Sequence, residues 1–193
     1  GEDDCGQTKI CIKNAWTKYT KFFNDNLNKD DIIIIGISRD RIIQKQSTKF
    51  PRLKDSKKLK SIKSRLIELA NLSSKKRIKL ILVDDVPKVC KPSTNFTLEI
   101  LIKGSIEKCT VLEEISIQDR AGLTNVFLQI SNQFENVIYA DPHSELCHDG
   151  KCSILDKKNK ILYSDNNSHF RDDSKEYLKN FWVFSSLLNN LVF

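Results

Sequence analysis

The sequence predicts an α/β fold in three layers, a parallel sheet flanked by helices. Three observations carry that expectation. Apolar, largely β-branched runs without polar alternation stand at 31–36 and 78–83; this is the pattern of strands buried on both faces, which are usually parallel. Segments of helical periodicity separate them. The order that results is helix–strand–helix–strand–helix–strand–hairpin–helix. It implies right-handed βαβ crossovers with helices on both faces of the sheet.

Residues 1–9 are polar and read as a flexible lead-in to one domain spanning 1–193. In 10–28, Ile12, Trp16, Tyr19, Phe22 or Phe23 and Leu27 recur at helical spacing. The strand at 31–36 follows. The basic stretch 39–54 shows no period and closes near Pro51. A second helix is expected over 55–74, with Leu59, Ile62, Leu66, Ile67 and Leu69 on its apolar side. The strand at 78–83 is stopped by Pro87. Residues 88–112 form an excursion holding Cys90 and Cys109, and 117–134 a third helix with Leu123, Val126, Phe127 and Ile130. A third strand is expected at 136–140, a hairpin between 153–155 and 161–163, and a last helix at 172–192.

The net charge of +7 invites a nucleic-acid reading. The distribution argues against it, since acidic residues interrupt most of the basic stretches and the longest run, Lys75-Lys76-Arg77, reads as a solvated loop. No apolar run reaches the roughly 20 residues of a membrane span. The apolar end 181–193 is broken by Ser185, Ser186, Asn189 and Asn190 and reads as a helix packing one face on the core. The sequence contains no methionine. The expectation is that Gly1 follows a processing event, a cloning boundary or excision from a longer protein, so that motifs missing here lie upstream.

Six cysteines fall into three close pairs, Cys5/Cys11, Cys90/Cys109 and Cys147/Cys152. An even, locally paired set suggests disulfides and an oxidising compartment. His143, Cys147, His148 and Cys152 also cluster in sequence, which leaves a zinc site as the alternative. A short Cys147–Cys152 bridge around the Asp149-Gly150 turn is the simpler reading, and no metal is expected.

In a parallel sheet, chemistry sits outside the carboxyl ends of the strands. Those ends carry Gly36-Ile37-Ser38-Arg39, Asp84-Asp85 and Asp141-Pro142-His143. The loop before the last helix reads Tyr163-Ser164-Asp165-Asn166-Asn167-Ser168-His169. A histidine activates a hydroxyl nucleophile by taking its proton, and a carboxylate fixes the imidazole tautomer. Asp165 and His169 are therefore candidates, although Asp-x-x-x-His alone is weak and also fits a helix cap beside a surface histidine. His143, beside Asp141, is a second titrating group, read mainly as part of the loop. Arg39 and Arg41 follow a strand end where they can meet an anionic substrate, though solvated arginines are commoner. Trp16 and Trp182 sit on helical faces and read as core or interface residues.

The ordered frame resembles the SGNH hydrolase-like domain fused to acyltransferase-3 membrane proteins, the O-acyltransferases of bacterial surface polysaccharides. The matching stretches are Val137-Ile138-Tyr139-Ala140-Asp141, Leu146-Cys147…Cys152, Ile161-Leu162-Tyr163 and Asp165…His169. Upstream, Ile81-Leu82-Val83-Asp84-Asp85-Val86-Pro87, then Cys90-Lys91-Pro92 and Cys109, together with Arg120 on its helix and the strand at 32–38, continue the likeness over roughly 5–180. The resemblance implies an SGNH/flavodoxin-like sheet and Ser-His-Asp chemistry with His169 as base and Asp165 as its orienting carboxylate. It departs in two places. The family usually carries Asp three residues before His, a place held here by Asn166. The Gly-Asp-Ser-His block that bears the nucleophile has no counterpart; Ser38 in Gly36-Ile37-Ser38 is the nearest candidate, and a serine ending a strand is its commoner role. The implied sheet is then incomplete at its N-terminal side.

The expected function is an extracytoplasmic domain of an O-acyltransferase or esterase, with a glycan acceptor, an acyl donor, a linked membrane acyltransferase domain and no cofactor. The alternative is a non-catalytic binding module on the same fold that lacks the nucleophile.

Overall fold

The structure is a computed structural model of the chain; it describes residues 9–37, 57–89, 109–153 and 155, with side chains from residue 16 onward and not those of Ser144 and Glu145. The elements in chain order are α1 (Lys9–Asn26), β1 (Ile32–Gly36), α2 (Lys57–Lys76), β2 (Lys79–Val83), β3 (Thr110–Leu112), α3 (Glu113–Gln133), β4 (Val137–Ala140), a single turn α4 (His143–Leu146), β5 (Cys147–His148) and β6 (Lys151–Ser153). The three helices and three parallel strands expected from periodicity are thus present. The expected last helix and the strand at 161–163 lie outside the described residues.

The main sheet has the order β1-β2-β4, and both pairings are parallel. The register aligns Ile33 with Leu80 and Leu80 with Val137, and likewise Ile35, Leu82 and Tyr139. These rows meet Leu66, Leu69 and Ala70 of α2 and Leu123, Val126, Phe127 and Ile130 of α3 in one core. Each large side chain buried there contributes roughly 1.5–3 kcal/mol. Trp16, Phe23 and Leu27 bring α1 onto the same cluster.

The opposite face carries Ile34, Ile81 and Ile138 in one row. Here the expectation of strands buried on both faces holds for β2 but not for β1. Ile81 is 3% exposed, whereas Ile34 is 55% and Ile32 38% exposed. The physical reason is position: β2 lies between two partners, while β1 is the edge of the described sheet, and an unbroken apolar run does not distinguish the two places.

Specific bonds tie α1 to α2 and close the end of α2. Trp16 Nε1 donates to Glu68 Oε2 at 2.8 Å, and Arg65 lies 5.6 Å above the Trp16 ring. Lys76 Nζ donates to the Asn24 and Leu27 carbonyls at the end of α1, placing a cation where the helix dipole is negative. At the end of α2, Ile78 N–H donates to Ser73 O and Arg77 N–H to Ser74 O. This is a Schellman arrangement with Arg77 (φ 57°) at the position usually held by glycine.

A second, antiparallel sheet has the order β3-β6-β5 and was not expected from sequence. β5 and β6 form a two-residue hairpin in which Asp149 (φ 53°) and Gly150 (φ 72°) both occupy the left-handed region, the mark of a type I′ turn. The Glu113 amide donates to Gly150 O, joining this turn to the start of α3. No described helix is long and apolar enough to cross a membrane.

Candidate active site

The carboxyl ends of β2 and β4 bring Asp84 and Asp141 side by side, and α3 lays Arg120 between them. The guanidinium forks onto Asp141, with Nη1 at 2.7 Å and Nη2 at 3.0 Å from its two oxygens, and Nη1 also reaches Asp84 Oδ2 at 3.1 Å. Asp84 Oδ2 further accepts from Thr124 Oγ1 at 2.6 Å and from the Tyr139 hydroxyl at 2.7 Å, while Oδ1 accepts from the Asp85 amide. Thr124 stands one turn after Arg120 on α3, and both therefore face the strand ends. The His143 amide donates to Asp141 Oδ1 at 2.9 Å.

The electrostatics follow from this geometry. Burial raises the Asp141 carboxyl, but the Arg120 bond and charge, with the His143 amide and ring, outweigh it and hold the group below the ordinary carboxylate range. Burial acts first on Tyr139 as well, and the Asp84 charge and its bond to the hydroxyl push the phenol further upward. Burial lowers Arg120, and its bond and charge with Asp141 and the charge of Asp84 reverse that, so the guanidinium is held charged. Asp84 and Arg120 are almost fully buried; the Arg120 and Thr124 contacts tie α3 to the strand ends, and the Tyr139 hydroxyl ties β4 to Asp84 after β2. Both Asp84 oxygens and the Arg120 Nη1 and Nη2 atoms are occupied by these contacts at the carboxyl ends of the strands.

His143 is 1% exposed. Its Nδ1 lies 3.9 Å from Glu113 Oε1, and its Nε2 lies 3.4 Å from Cys147 Sγ and 3.6 Å from Cys152 Sγ. Those two cysteines form a disulfide that spans β5 and β6 at paired positions. Cys109 is also bonded in a disulfide. His148, part of the sequence cluster, does not converge with the other three; among the described residues its Nε2 is buried without a hydrogen-bond partner.

The catalytic candidates His169, Asp165, Asn166 and Ser38 lie outside the described residues, as do Cys5, Cys90 and the side chain of Cys11. Sequence reasoning placed Asp84, Asp141 and His143 at the strand ends and Arg120 on its helix without joining the arginine to the carboxylates, and it singled out neither Thr124 nor the Tyr139 hydroxyl. The spacing of Arg120 and Thr124 by four on an apolar helix face was the available signal.

A parallel sheet with helices on it, and acidic residues gathered at its carboxyl ends, defines an α/β domain of the kind that hosts chemistry in its loops. Residues 2–183 match the family described as the SGNH domain fused to AT3 domains, and the chain belongs to that family. Its function is accordingly of hydrolase or acyltransferase type. A crystal structure of a provisionally assigned acylhydrolase from Bacteroides fragilis is similar over 93% of this chain and 84% of that one, at 12% identity and a TM-score of 0.45. No curated protein matches the chain.

Proposed function

We propose that this domain processes acyl esters, by transfer or removal of an acetyl-type group on surface glycans outside the cytoplasm.

 By this reading, a serine supplied by the same polypeptide attacks the ester carbonyl of the acyl donor while His169 takes its proton. Asp165 holds the imidazole. The tetrahedral intermediate collapses, and His169 returns the proton to the leaving oxygen. The acyl-serine then passes to a glycan hydroxyl or to water by the reverse steps. This chemistry draws on no metal or organic cofactor. By this reading the nucleophile is a serine upstream of residues 1–193, and Ser38 is the lesser candidate inside the chain.

The observation that carries the proposal is family membership across residues 2–183. The family's fusion to AT3 domains supports a membrane acyltransferase domain as the covalent or associated partner. The Cys147–Cys152 bridge supports an oxidising compartment.

Asp165→Ala and Asn166→Ala, made separately in the full-length protein and assayed by glycan acyl content, test the assignment of the orienting group. Loss of activity in the first and retention in the second is expected. The reverse result moves the role to Asn166. Full activity in both contradicts the catalytic loop and favours the non-catalytic binding module.

A further inference from the structure

The side chains of the sequence cluster His143, Cys147, His148 and Cys152 are not used by the ester chemistry, and the cluster meets the Arg120 network only through the His143 amide and charge beside Asp141. In the structure three of its members converge. The ligand atoms of His143, Cys147 and Cys152 all lie within 4.8 Å of one another, and all three residues are buried.

The distances have a chemical meaning. Zinc binds thiolate sulfur at about 2.3 Å and imidazole nitrogen at about 2.0–2.1 Å, so a tetrahedral centre sets each N···S edge near roughly 3.5 Å. The two N···S separations are 3.4 and 3.6 Å. The imidazole is also presented correctly: Nε2 faces the sulfurs while Nδ1 faces Glu113 Oε1 at 3.9 Å. At that distance the Glu113 carboxylate acts on the far ring nitrogen through its charge and not through a hydrogen bond, and the near nitrogen is the one directed at the sulfurs. The scaffold that holds the sulfurs is a two-residue hairpin paired on to β3, and so does not depend on the bridge alone.

We propose that reduction of the Cys147–Cys152 bridge converts this cluster into a zinc site, with His143 Nε2 and the two cysteine sulfurs as ligands. The redox step is a thiol–disulfide exchange. A small dithiol supplies two electrons and two protons, leaves as its own cyclic disulfide, and yields two thiols. Binding of Zn²⁺ then releases both thiol protons to solvent. Three protein ligands leave one position for water.

The test uses Co²⁺ as a spectroscopic stand-in for zinc. The purified protein is reduced with dithiol, freed of it under anaerobic conditions, and titrated. One equivalent of Co²⁺ should develop thiolate-to-metal charge-transfer and tetrahedral d–d absorption that Zn²⁺ abolishes, while the oxidised protein shows neither. Cys90→Ser/Cys109→Ser should retain the signal and Cys147→Ser/Cys152→Ser should lose it. His143→Gln should weaken binding at least tenfold while circular dichroism stays unchanged. Absence of the bands in the reduced protein, or their persistence in Cys147→Ser/Cys152→Ser, overturns the proposal. Loss of the fold on reduction that neither Co²⁺ nor Zn²⁺ reverses also overturns it.

Discussion

Arg120 decides how the strand ends are held. It faces two carboxylates in a buried setting, and the charge pair cannot be judged by Coulomb attraction alone, because desolvation offsets most of it. Removing one partner is different, since it strands the others. Arg120→Met leaves Asp84 and Asp141 without their cation and should cost about 3–5 kcal/mol, measured by urea denaturation. A loss below about 1 kcal/mol, the value of an exposed pair, contradicts the buried clamp. Asp141 gives a pH signature. Its folded pKa lies below the ordinary value, so it adds stability above about pH 4. That contribution disappears as pH falls through the folded value. Asp141→Asn should therefore flatten the acid side of the stability profile, and an unchanged profile contradicts the assignment.

At the scale of elements, two left-handed residues give opposite expectations. Arg77 ends α2 at φ 57°, where a side chain is strained. Arg77→Gly should raise stability by about 0.5–1 kcal/mol. Gly150 sits at φ 72° in the hairpin, and a Cβ there meets nothing within 4 Å. Gly150→Ala should thus cost about 1 kcal/mol through the backbone alone. Thermal unfolding of both variants checks the pair; shifts of the same sign contradict it. The same elements show what a sequence can reveal. The long helices α2 and α3 and the central strand β2 announce themselves because pattern and burial agree, whereas β1 is visible from its apolar run although Ile32 and Ile34 stay exposed. β3, three residues of Thr110-Val111-Leu112, has no local signal and is held by pairing with β6 about forty residues away. α3 begins at Glu113, four residues before the expected start, because Glu113 and Glu114 favour a helix N-terminus without adding to its apolar stripe.

For the whole molecule, the parallel sheet places Asp84 and Asp141 at one end, and that end is where the family's chemistry is expected. Much of this was legible from order: strand, acidic end, cysteine pair. The contacts themselves were not, since Arg120 meets Asp84 across 36 positions and Asp141 across 21. Such pairings are set by topology, not by local pattern. The proposed ester chemistry rests on His169 as the base, and acyl transfer to glycan by the full-length His169→Ala protein, with expression and folding matched to the parent, tests it. A fall of about 10³-fold or more is expected; transfer at the parental rate rules His169 out as the base.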